Sequence, residues 1–336
     1  DVACNWPQSG GIIDTGQLPI TDLFPDPNDA SFALAVVVNG GGNAIIASHD
    51  GGKTFQGPLI LPLDAIMTGI EISTTRPTVV YVTSSSLVNS DRNLWRSEDK
   101  GATWTSTLVP EEGTNEPRIM AIDPANSDIV YLRVIGALTD SIVITTDQGQ
   151  SFNTVLSING KFTGFLRATD GSLYAGSSVG KLYRRAPGET TFTEGPGPFF
   201  RCLGQRPGES RIYACGDFTT NGFSLGFSDD NGATFKPMMS FTDILGPLTC
   251  PTVATNCEAH WERIQGVLGI GGDDAGTTAP PDGGVAVPDA GNGNDGGGVS
   301  TPPPSSGKSG CSTAAADGLA LMTLAALFLR SRRRRS

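Results

Sequence analysis

SEDKGATW, at residues 97–104, is the stretch that decides the fold, because the chain repeats its pattern. The pattern is Ser or Thr, any residue, Asp, any residue, Gly, any residue, Thr or Ser, and an aromatic. It recurs as SHDGGKTF (48–55), TTDQGQSF (145–152) and SDDNGATF (228–235). The defining residues are Ser48, Asp50, Gly52, Phe55, Ser97, Asp99, Gly101, Trp104, Thr145, Asp147, Gly149, Phe152, Ser228, Asp230, Gly232 and Phe235. Four copies of one pattern indicate a fold built from internal repeats.

The spacing of the copies indicates the size of the repeat. The first three Asp residues of the pattern are 49 and 48 residues apart, and the last two are 83 apart. The wide gap contains RAPGETTF (185–192), which keeps the Thr and the aromatic residue but lacks the Asp. We interpret this segment as a degenerate fifth copy.

Each octet follows runs of β-branched and aromatic residues that are typical of strands. One run begins at Phe32, and the others surround Tyr81, Tyr131, Tyr174 and Tyr213. Turns rich in Pro, Asn and Asp precede these runs. The unit is therefore strand, turn, strand, loop, strand, octet turn, strand. Four short strands in about 40 to 50 residues indicate a propeller blade, so we predict an all-β fold, a β-propeller of four-stranded blades.

The composition of the octet is explained by turn structure. Its Asp and Ser/Thr side chains can accept hydrogen bonds from the backbone N–H groups of the turn itself. Its Gly supplies a backbone conformation that is costly for other residues. Its aromatic residue is expected to start the fourth strand and to pack between sheets. We therefore expect the octets to stabilise the fold rather than to bind a ligand.

The octets resemble the Asp-box, or BNR, repeats of bacterial sialidases, sortilin-type receptors, xyloglucanases and photosystem II assembly-factor-like propellers. The resemblance covers roughly residues 20 to 240. It implies a propeller, and this fold carries enzymes as well as binding proteins.

The number of blades stays open at this point. Five complete units are visible, whereas propellers of the resembled kind more often have six or more blades. The opening segment DVACNWPQSGG (1–11) is either the fourth strand of a missing blade, which we favour, or a strand that closes the ring against C-terminal strands. The chain starts at Asp1 without a Met or a signal peptide, so either a signal has been removed or N-terminal sequence is missing.

The repeat fades after Phe235, and three segments follow from the composition. Residues 1–268 are predicted to be the propeller, ending in a clasp at CPTVATNC (250–257) and a short helix. Residues 269–310 are rich in Gly, Pro, Asp and Ser, which is typical of a disordered linker. Residues 311–336 form a tail with one short transmembrane helix.

The tail combines Cys311, an apolar run at 318–329 and a terminal Arg cluster. The Arg cluster should stay cytoplasmic before processing, which places the propeller outside the cell. A plain membrane anchor is one interpretation. The other is a sorting signal, because the tail resembles the MYXO-CTERM signal of exported myxobacterial proteins. That resemblance implies that Cys311 is the processing or lipidation point. We therefore expect an exported protein at the cell envelope, on the outer surface or released.

Charge narrows the class of partner. The chain has a net charge of −11. Without the tail, the count is 18 basic against 33 acidic residues, a net of −15. Such an acidic body disfavours nucleic acid as a partner. The expected partner is an unknown extracellular ligand, a glycan or a protein, with membrane contact made by the tail.

The cysteines predict disulfides. Six cysteines without a CxxC pair fit an oxidising compartment. Cys202 and Cys215 fall on neighbouring antiparallel strands and are expected to pair. Cys250 and Cys257 are expected to pair within the clasp. Cys4 is then unpaired, unless it reaches the clasp.

No catalytic site is complete in the sequence. A sialidase needs three arginines for the substrate carboxylate, a Tyr nucleophile with a partner Glu, and an Asp that acts as acid and base. The arginines near predicted strand ends are Arg76, Arg118, Arg133, Arg167 and Arg201, and nothing selects three of them. The five tyrosines are expected to be strand residues at one place in the repeat. The chain has two histidines, His49 in an Asp-box turn and His260 in the clasp region, so a Ser-His-Asp triad is not expected.

We therefore predict no catalytic residues, no metal and no cofactor. The preferred function is a binding or scaffold module, and whether it is an enzyme stays open. The alternative is a secreted glycoside hydrolase of sialidase or related type, because acids that can form a carboxylate pair are abundant.

Overall fold

The computed structural model describes residues 10–11, 19–39, 42–59, 65–86, 91–110, 116–246 and 254–269. The chain divides into two compact units. Pro7–Asp243 contains all the described strands, and Asp1–Trp6 with Ile244–Ser336 contains a helix.

The larger unit consists of five sheets. The strands of the first two sheets are β1 (Gly10–Gly11), β2 (Ile20–Pro25), β3 (Ala33–Asn39), β4 (Gly42–Ser48), β5 (Thr54–Leu59), β6 (Ala65–Ile72), β7 (Val80–Ser86), β8 (Arg92–Ser97) and β9 (Thr105–Leu108). Those of the third and fourth are β10 (Glu116–Ile122), β11 (Val130–Ile135), β12 (Thr139–Thr145), β13 (Asn153–Asn159), β14 (Phe162–Arg167), β15 (Leu173–Ser177), β16 (Lys181–Arg185) and β17 (Thr193–Pro196). The fifth has β18 (Cys202–Gln205), β19 (Ile212–Cys215), helix α1 (Phe218–Asn221), β20 (Leu225–Ser228) and β21 (Lys236–Met239).

Each sheet is an antiparallel meander of four strands in chain order, as predicted for a propeller blade. The first strands of successive sheets, β2, β6, β10, β14 and β18, lie next to one another in turn. They are therefore the innermost strands of the β-propeller. The degenerate copy at residues 185–192 joins the third and fourth strands of the fourth sheet, as the four octets do in the others.

The N-terminal strand differs from both alternatives for residues 1–11. Strand β1 pairs in parallel with β5, with Gly10 opposite Thr54 and Gly11 opposite Phe55. It thus adds a fifth strand to the outer edge of the first sheet. These two residues are therefore not the fourth strand of another blade, and they do not close the ring against C-terminal strands.

The sheets pack on one another through alternate residues of their strands. Leu34 and Ile45 of the first sheet meet Ile70 and Val80 of the second in one buried cluster. The residues between them in β7 face the other way, so Tyr81 belongs to the cluster with the third sheet. Similar clusters join the third to the fourth sheet and the fourth to the fifth. Because both faces of an inner sheet are covered, its strands are apolar nearly throughout.

The octet turns have the predicted hydrogen bonds. In the second sheet, the Asp99 carboxylate accepts from Thr103 N at 2.8 Å and from Thr103 Oγ1 at 2.6 Å. Ser97 Oγ donates to the same carboxylate and accepts from Gly101 N. Gly101 has φ +94°, and the preceding Lys100 has φ +58°, so the turn holds two successive left-handed residues. A left-handed Lys in this turn was not foreseen from the sequence.

The octet aromatics were expected to start the fourth strand, but three of the four lie one residue before it. Phe55 lies within β5, but Trp104, Phe152 and Phe235 each precede the fourth strand by one residue. Trp104 packs against the cluster between the first and second sheets. Phe152 and Phe235 likewise pack onto the preceding sheet. The second, third and fourth octets therefore join their own sheet to the one before it, whereas Phe55 packs within the first sheet.

The predicted disulfide of the fifth sheet is confirmed. Cys202 and Cys215 are direct cross-strand partners with a Cα–Cα distance of 4.8 Å, and they are bonded. The expected Cys250–Cys257 pair, Cys4, the linker and the tail with Cys311 lie outside what the structure describes. In the smaller unit, helix α2 (Ala254–Leu268) begins inside the stretch predicted as a clasp. No described helix has the length and apolar character needed to cross a membrane.

Two strand glycines give a matched test of the packing between the fourth and fifth sheets. A Cβ on Gly176 would lie 2.4 Å from Cγ of the fully buried Phe200, whereas a Cβ on Gly204 would meet no atom within 4 Å. We predict that Gly176→Ala lowers the free energy of unfolding by about 2–3 kcal/mol and that Gly204→Ala changes it by less than about 1 kcal/mol. Urea unfolding of the full chain measures both, and equal effects would contradict the position of Phe200.

Candidate functional site

The two ends of the propeller have different connections. The Asp-box turns and the turns between first and second strands lie at one end, which we name the Asp-box face. The hairpins between second and third strands lie at the other end, which we name the hairpin face. This division follows from the antiparallel order of every sheet.

The Asp-box face carries four fixed negative charges. Hydrogen bonds from the Thr or Ser hydroxyl and N–H lower the pKa of each Asp-box carboxyl to about 2: Asp50, Asp99, Asp147 and Asp230. Within the described part of the chain, none of the ion pairs uses these four carboxylates. Their hydrogen bonds are local, which fits the expected structural role.

The exposed large apolar side chains gather at the opposite end. Those of the larger unit that lie on the hairpin face are Ile20, Val38, Ile66, Leu108, Leu138, Val179, Phe199 and Met238. Leu23 is exposed too, but it lies in the middle of β2. Leu138 is 82% and Val179 54% exposed, and both lie in hairpin loops. Exposed apolar side chains that collect at one end of a protein are a candidate interaction site.

Three of these residues lie in neighbouring loops, from the third sheet to the connection between the fourth and fifth sheets. Leu138 O accepts from Gly160 N at 3.0 Å. A Cβ on Gly160 would lie 4.0 Å from Val179 Cγ2, and a Cβ on Gly180 would lie 3.8 Å from Phe199 Cε2. We name Leu138, Val179 and Phe199 the apolar strip.

The apolar strip ends beside helix α1. Phe199 N donates to Asn221 Oδ1 of this helix at 3.0 Å. A cleft of about 360 Å³ opens next to the helix, with Phe218, Met238 and Met239 in its wall. Met side chains adapt to partners of different shape, which suits a contact surface.

Several charged side chains on the hairpin face form ion pairs. Arg118 contacts Glu116 at 2.7 Å, and Lys181 contacts Glu194 at 2.8 Å. Asp140 is fully buried and accepts from Arg133 and from Lys161 at 3.1 Å. Among the described residues of this face, the pairs of Arg118 and Lys181 are neutral, whereas Asp140 faces two cations.

A second feature is a pair of acids on neighbouring innermost strands. Asp22 of β2 accepts from Ile70 N of β6 at 2.8 Å. Glu71 of β6 accepts from Ile122 N of β10 at 3.1 Å. An innermost strand has no ladder partner on its channel side, so each carboxylate satisfies an N–H of the next blade that would otherwise be unpaired. Burial, with a smaller contribution from Asp22, raises the pKa of Glu71 to about 7.

The arginines weighed for a sialidase site have separate partners. Arg76 contacts Glu98 and Asp128, and Arg201 contacts Asp217. Arg118 pairs with Glu116 and Arg133 with Asp140, as described above. The structure thus brings no three of them to one acid among the described residues.

Arg167 and Tyr131 meet at a single carboxylate. Asp123 Oδ2 accepts from Arg167 Nε and from Tyr131 Oη, both at 2.9 Å. Burial and the Asp123 charge raise the pKa of Tyr131 to about 12, which opposes a nucleophilic phenolate. This contact joins the third sheet to the fourth.

The expectation that all five tyrosines occupy one place in the repeat is wrong for one of them. Tyr81, Tyr131, Tyr174 and Tyr213 lie in second strands, but Tyr183 lies in the third strand β16. A run of β-branched residues does not distinguish a second from a third strand. Among the described residues, no group of acidic, His or Cys side chains has the geometry to hold a metal ion.

Comparison with known families gives a partial match. The Sortilin-Vps10 family, described as "Sortilin, neurotensin receptor 3", matches residues 43–172. These residues run from the first sheet to the turn that follows β14. No curated protein matches the chain. The chain is thus similar to this family over part of its length.

Solved structures show the same fold. The GH74 enzyme of Niastella koreensis has a TM-score of 0.53 and 19% identity over 66% of this chain and 38% of that chain. The GH74 xyloglucanase of Xanthomonas campestris has a TM-score of 0.51 and 18% identity, over 66% of this chain and 38% of that chain. YCF48 from Cyanidioschyzon merolae has a TM-score of 0.45 and 17% identity, over 66% of this chain and 70% of that chain. This chain spans 38% of the length of the hydrolases, and at this identity the likeness shows the fold alone.

Neither the apolar strip nor the Asp22–Glu71 pair was predicted from the sequence. The signal for the apolar strip was available, because Leu138 and Val179 lie within two residues of a Gly in predicted loops, where polar residues are usual. Glu71 was also visible as the one acid in the apolar run AIMTGIEI. The face on which each residue lies could not be predicted, because it depends on the strand register.

Glu71 should destabilise the fold at neutral pH. Because its folded pKa of about 7 exceeds the ordinary 4.5, the folded state loses stability as pH rises from about 4.5 to about 7. We predict that Glu71→Gln raises the free energy of unfolding at pH 8 by up to about 3 kcal/mol and leaves it nearly unchanged at pH 4. Urea unfolding at both pH values measures this, with Glu116→Gln as the exposed control. A gain that is equal at both pH values would contradict the shifted pKa.

Proposed function

We propose that the chain is a binding or scaffold propeller that contacts its partner through the hairpin face. One observation carries the proposal: among the described residues of the larger unit, the exposed large apolar side chains gather at the hairpin face. Burying apolar surface is the main source of affinity in protein association. The Asp-box face offers fixed carboxylates and no such surface.

The contacts of the polar groups support binding over catalysis. The Tyr131 hydroxyl, the Arg167 guanidinium and the Asp123 carboxylate hold two sheets together. Asp22 and Glu71 each accept a backbone N–H of the following blade. These groups already have structural partners.

We test the binding face by site-specific photo-crosslinking on cells that display the full chain. A photoreactive phenylalanine replaces Leu138 or Val179 on the hairpin face, and Lys53 on the Asp-box face serves as the control. We expect the same crosslinked macromolecule from both hairpin positions and none from position 53. Crosslinks from position 53 alone would contradict the proposal.

A glycoside hydrolase is the second candidate, and the Asp22–Glu71 pair favours it. Glu71 has a pKa of about 7, which suits a general acid, and Asp22 is close enough to influence it. A pair of carboxylates is what inverting and retaining hydrolases use.

Activity assays separate the two candidates. We expect the full chain to release no sugar from xyloglucan or from sialylated substrates. Turnover that is lost in both Glu71→Gln and Asp22→Asn, but kept in Glu116→Gln, would replace the binding proposal by the hydrolase.

We further propose that the propeller is exported and tethered at the cell envelope by residues 311–336. The apolar run, the Arg cluster and Cys311 support this part of the proposal. The ring is also proposed to have six or more blades in the intact protein, with an extracellular glycan or protein as the partner.

Deletion of residues 310–336 tests the tether. We expect the truncated chain in the medium, because the acidic remainder has little affinity for an anionic membrane surface. Cys311→Ala should change the mass or location of the chain if Cys311 is processed. Retention of the truncated chain by cells would contradict the tether, and an unchanged Cys311→Ala protein would leave a plain anchor.

A further inference from the structure

We propose that residues 12–18, with the sequence IIDTGQL, cross one face of the first sheet and bury it. We name this face the distal face, because it is turned away from the second sheet. Residues 12–18 lie outside the described part of the chain, but the structure describes the strands at both of their ends and the face itself. This packing is independent of the binding role proposed for the hairpin face.

The distal face is apolar and buried. Its side chains are Ala33, Ala35, Val37, Ala44, Ile46 and Phe55. None of them is more than 8% exposed. Among the described residues, this cluster contains no side chain from another sheet. A further segment is therefore needed to cover the face.

The connection between the first two strands leads residues 12–18 to this sheet. Strand β1 pairs in parallel with β5, and Gly11 lies opposite Phe55 near the Asp-box face. Strand β2 begins at Ile20, near the hairpin face and at the other edge of the same sheet. Residues 12–18 thus join diagonally opposite corners of the first sheet.

The length of the connection selects its path. Strands β1 and β2 are four strand spacings apart, about 19 Å. Ile20 is level with Ala44, one residue beyond Leu59, so the corners differ by about 16 Å along the strands. The direct diagonal is then about 25 Å, and the nine Cα–Cα steps from Gly11 to Ile20 reach about 30 Å when extended. A path round either end of the sheet needs about 35 Å. The connection must therefore cross a face.

The distal face is the one that is open to this crossing. The opposite face of the first sheet is filled by the second sheet, where Leu34 and Ile45 pack with Ile70. Three of the six distal side chains are alanines, so a main chain can approach the sheet closely. Ile12 and Ile13 supply apolar side chains whose burial is favourable. A preceding blade of a larger ring would then pack on this segment rather than directly on the first sheet.

Intramolecular photo-crosslinking of the full chain tests the inference. A diazirine-bearing leucine analogue replaces Ile12 or Ile13, and digestion at Asp residues precedes mass spectrometry. Trypsin would not separate the segment from β3 and β4, because the first Lys or Arg is Lys53. We expect crosslinks to residues 33–48 from the position that faces the sheet, because a nearly extended segment points alternate side chains to opposite sides.

The control and the contrary results are specific. The same analogue at Leu108, which is exposed on β9 of the second sheet, should give no crosslink to residues 33–48. Crosslinks from positions 12 and 13 that reach only other parts of the chain overturn the inference. Crosslinks to residues 33–48 of a second copy, identified by a product of twice the chain mass of 34.9 kDa, overturn it as well.

Thermal unfolding of charged variants is the second test. Of Ile12→Asp and Ile13→Asp, we expect the one that faces the sheet to lower the melting temperature by at least about 5 °C, because it buries a charge against alanines. Leu138→Asp, at a side chain that is 82% exposed, is the matched control and should shift it by less than about 2 °C. If both isoleucine variants melt like the wild type, residues 12–18 do not bury the distal face.

Discussion

The hydrogen bonds between each Asp-box carboxylate and the Thr or Ser four residues later are the interaction on which the rest of the structure depends. They close the turn from the third to the fourth strand, as at Asp99 and Thr103. The closed turn directs the following aromatic residue onto the preceding sheet, as Trp104 shows. Sheet stacking then follows, and the stacked sheets bring all second-to-third-strand hairpins to the opposite end. A local turn motif thereby decides which end of the molecule is left for apolar contacts.

The fold was predictable from the sequence because its determinants are local. The octets, the β-branched runs and the Pro/Asp turns each fix a strand boundary within a few residues, and the Cys202–Cys215 pair followed from two neighbouring strands. The degenerate copy at 185–192 was recognised from its remaining Thr and aromatic residue. Strand β1 was not recognised, because it consists of two glycines, which have no side-chain pattern that would predict a strand.

The candidate site was less predictable because it depends on register and on contacts between blades. Glu71 looked like an ordinary acid in a strand, and only its position against the next innermost strand explains its high pKa. The apolar strip joins residues from loops about 20 to 40 positions apart, and their exposure depends on how the sheets stack. Conversely, the arginines that suggested a catalytic centre were dispersed by the same stacking, each to its own acid.

The added strand β1 has a consequence for how the chain resists aggregation. An outer strand of a sheet exposes unpaired N–H and C=O groups that can recruit strands of other molecules. In the first sheet, β1 occupies part of that edge on β5. In the fourth and fifth sheets, the outer strands carry Pro196 and Pro237, which cannot donate to a ladder, and Lys236 adds a charge. Three of the five blades thus discourage edge-to-edge growth, by an added strand, by a proline or by a charge.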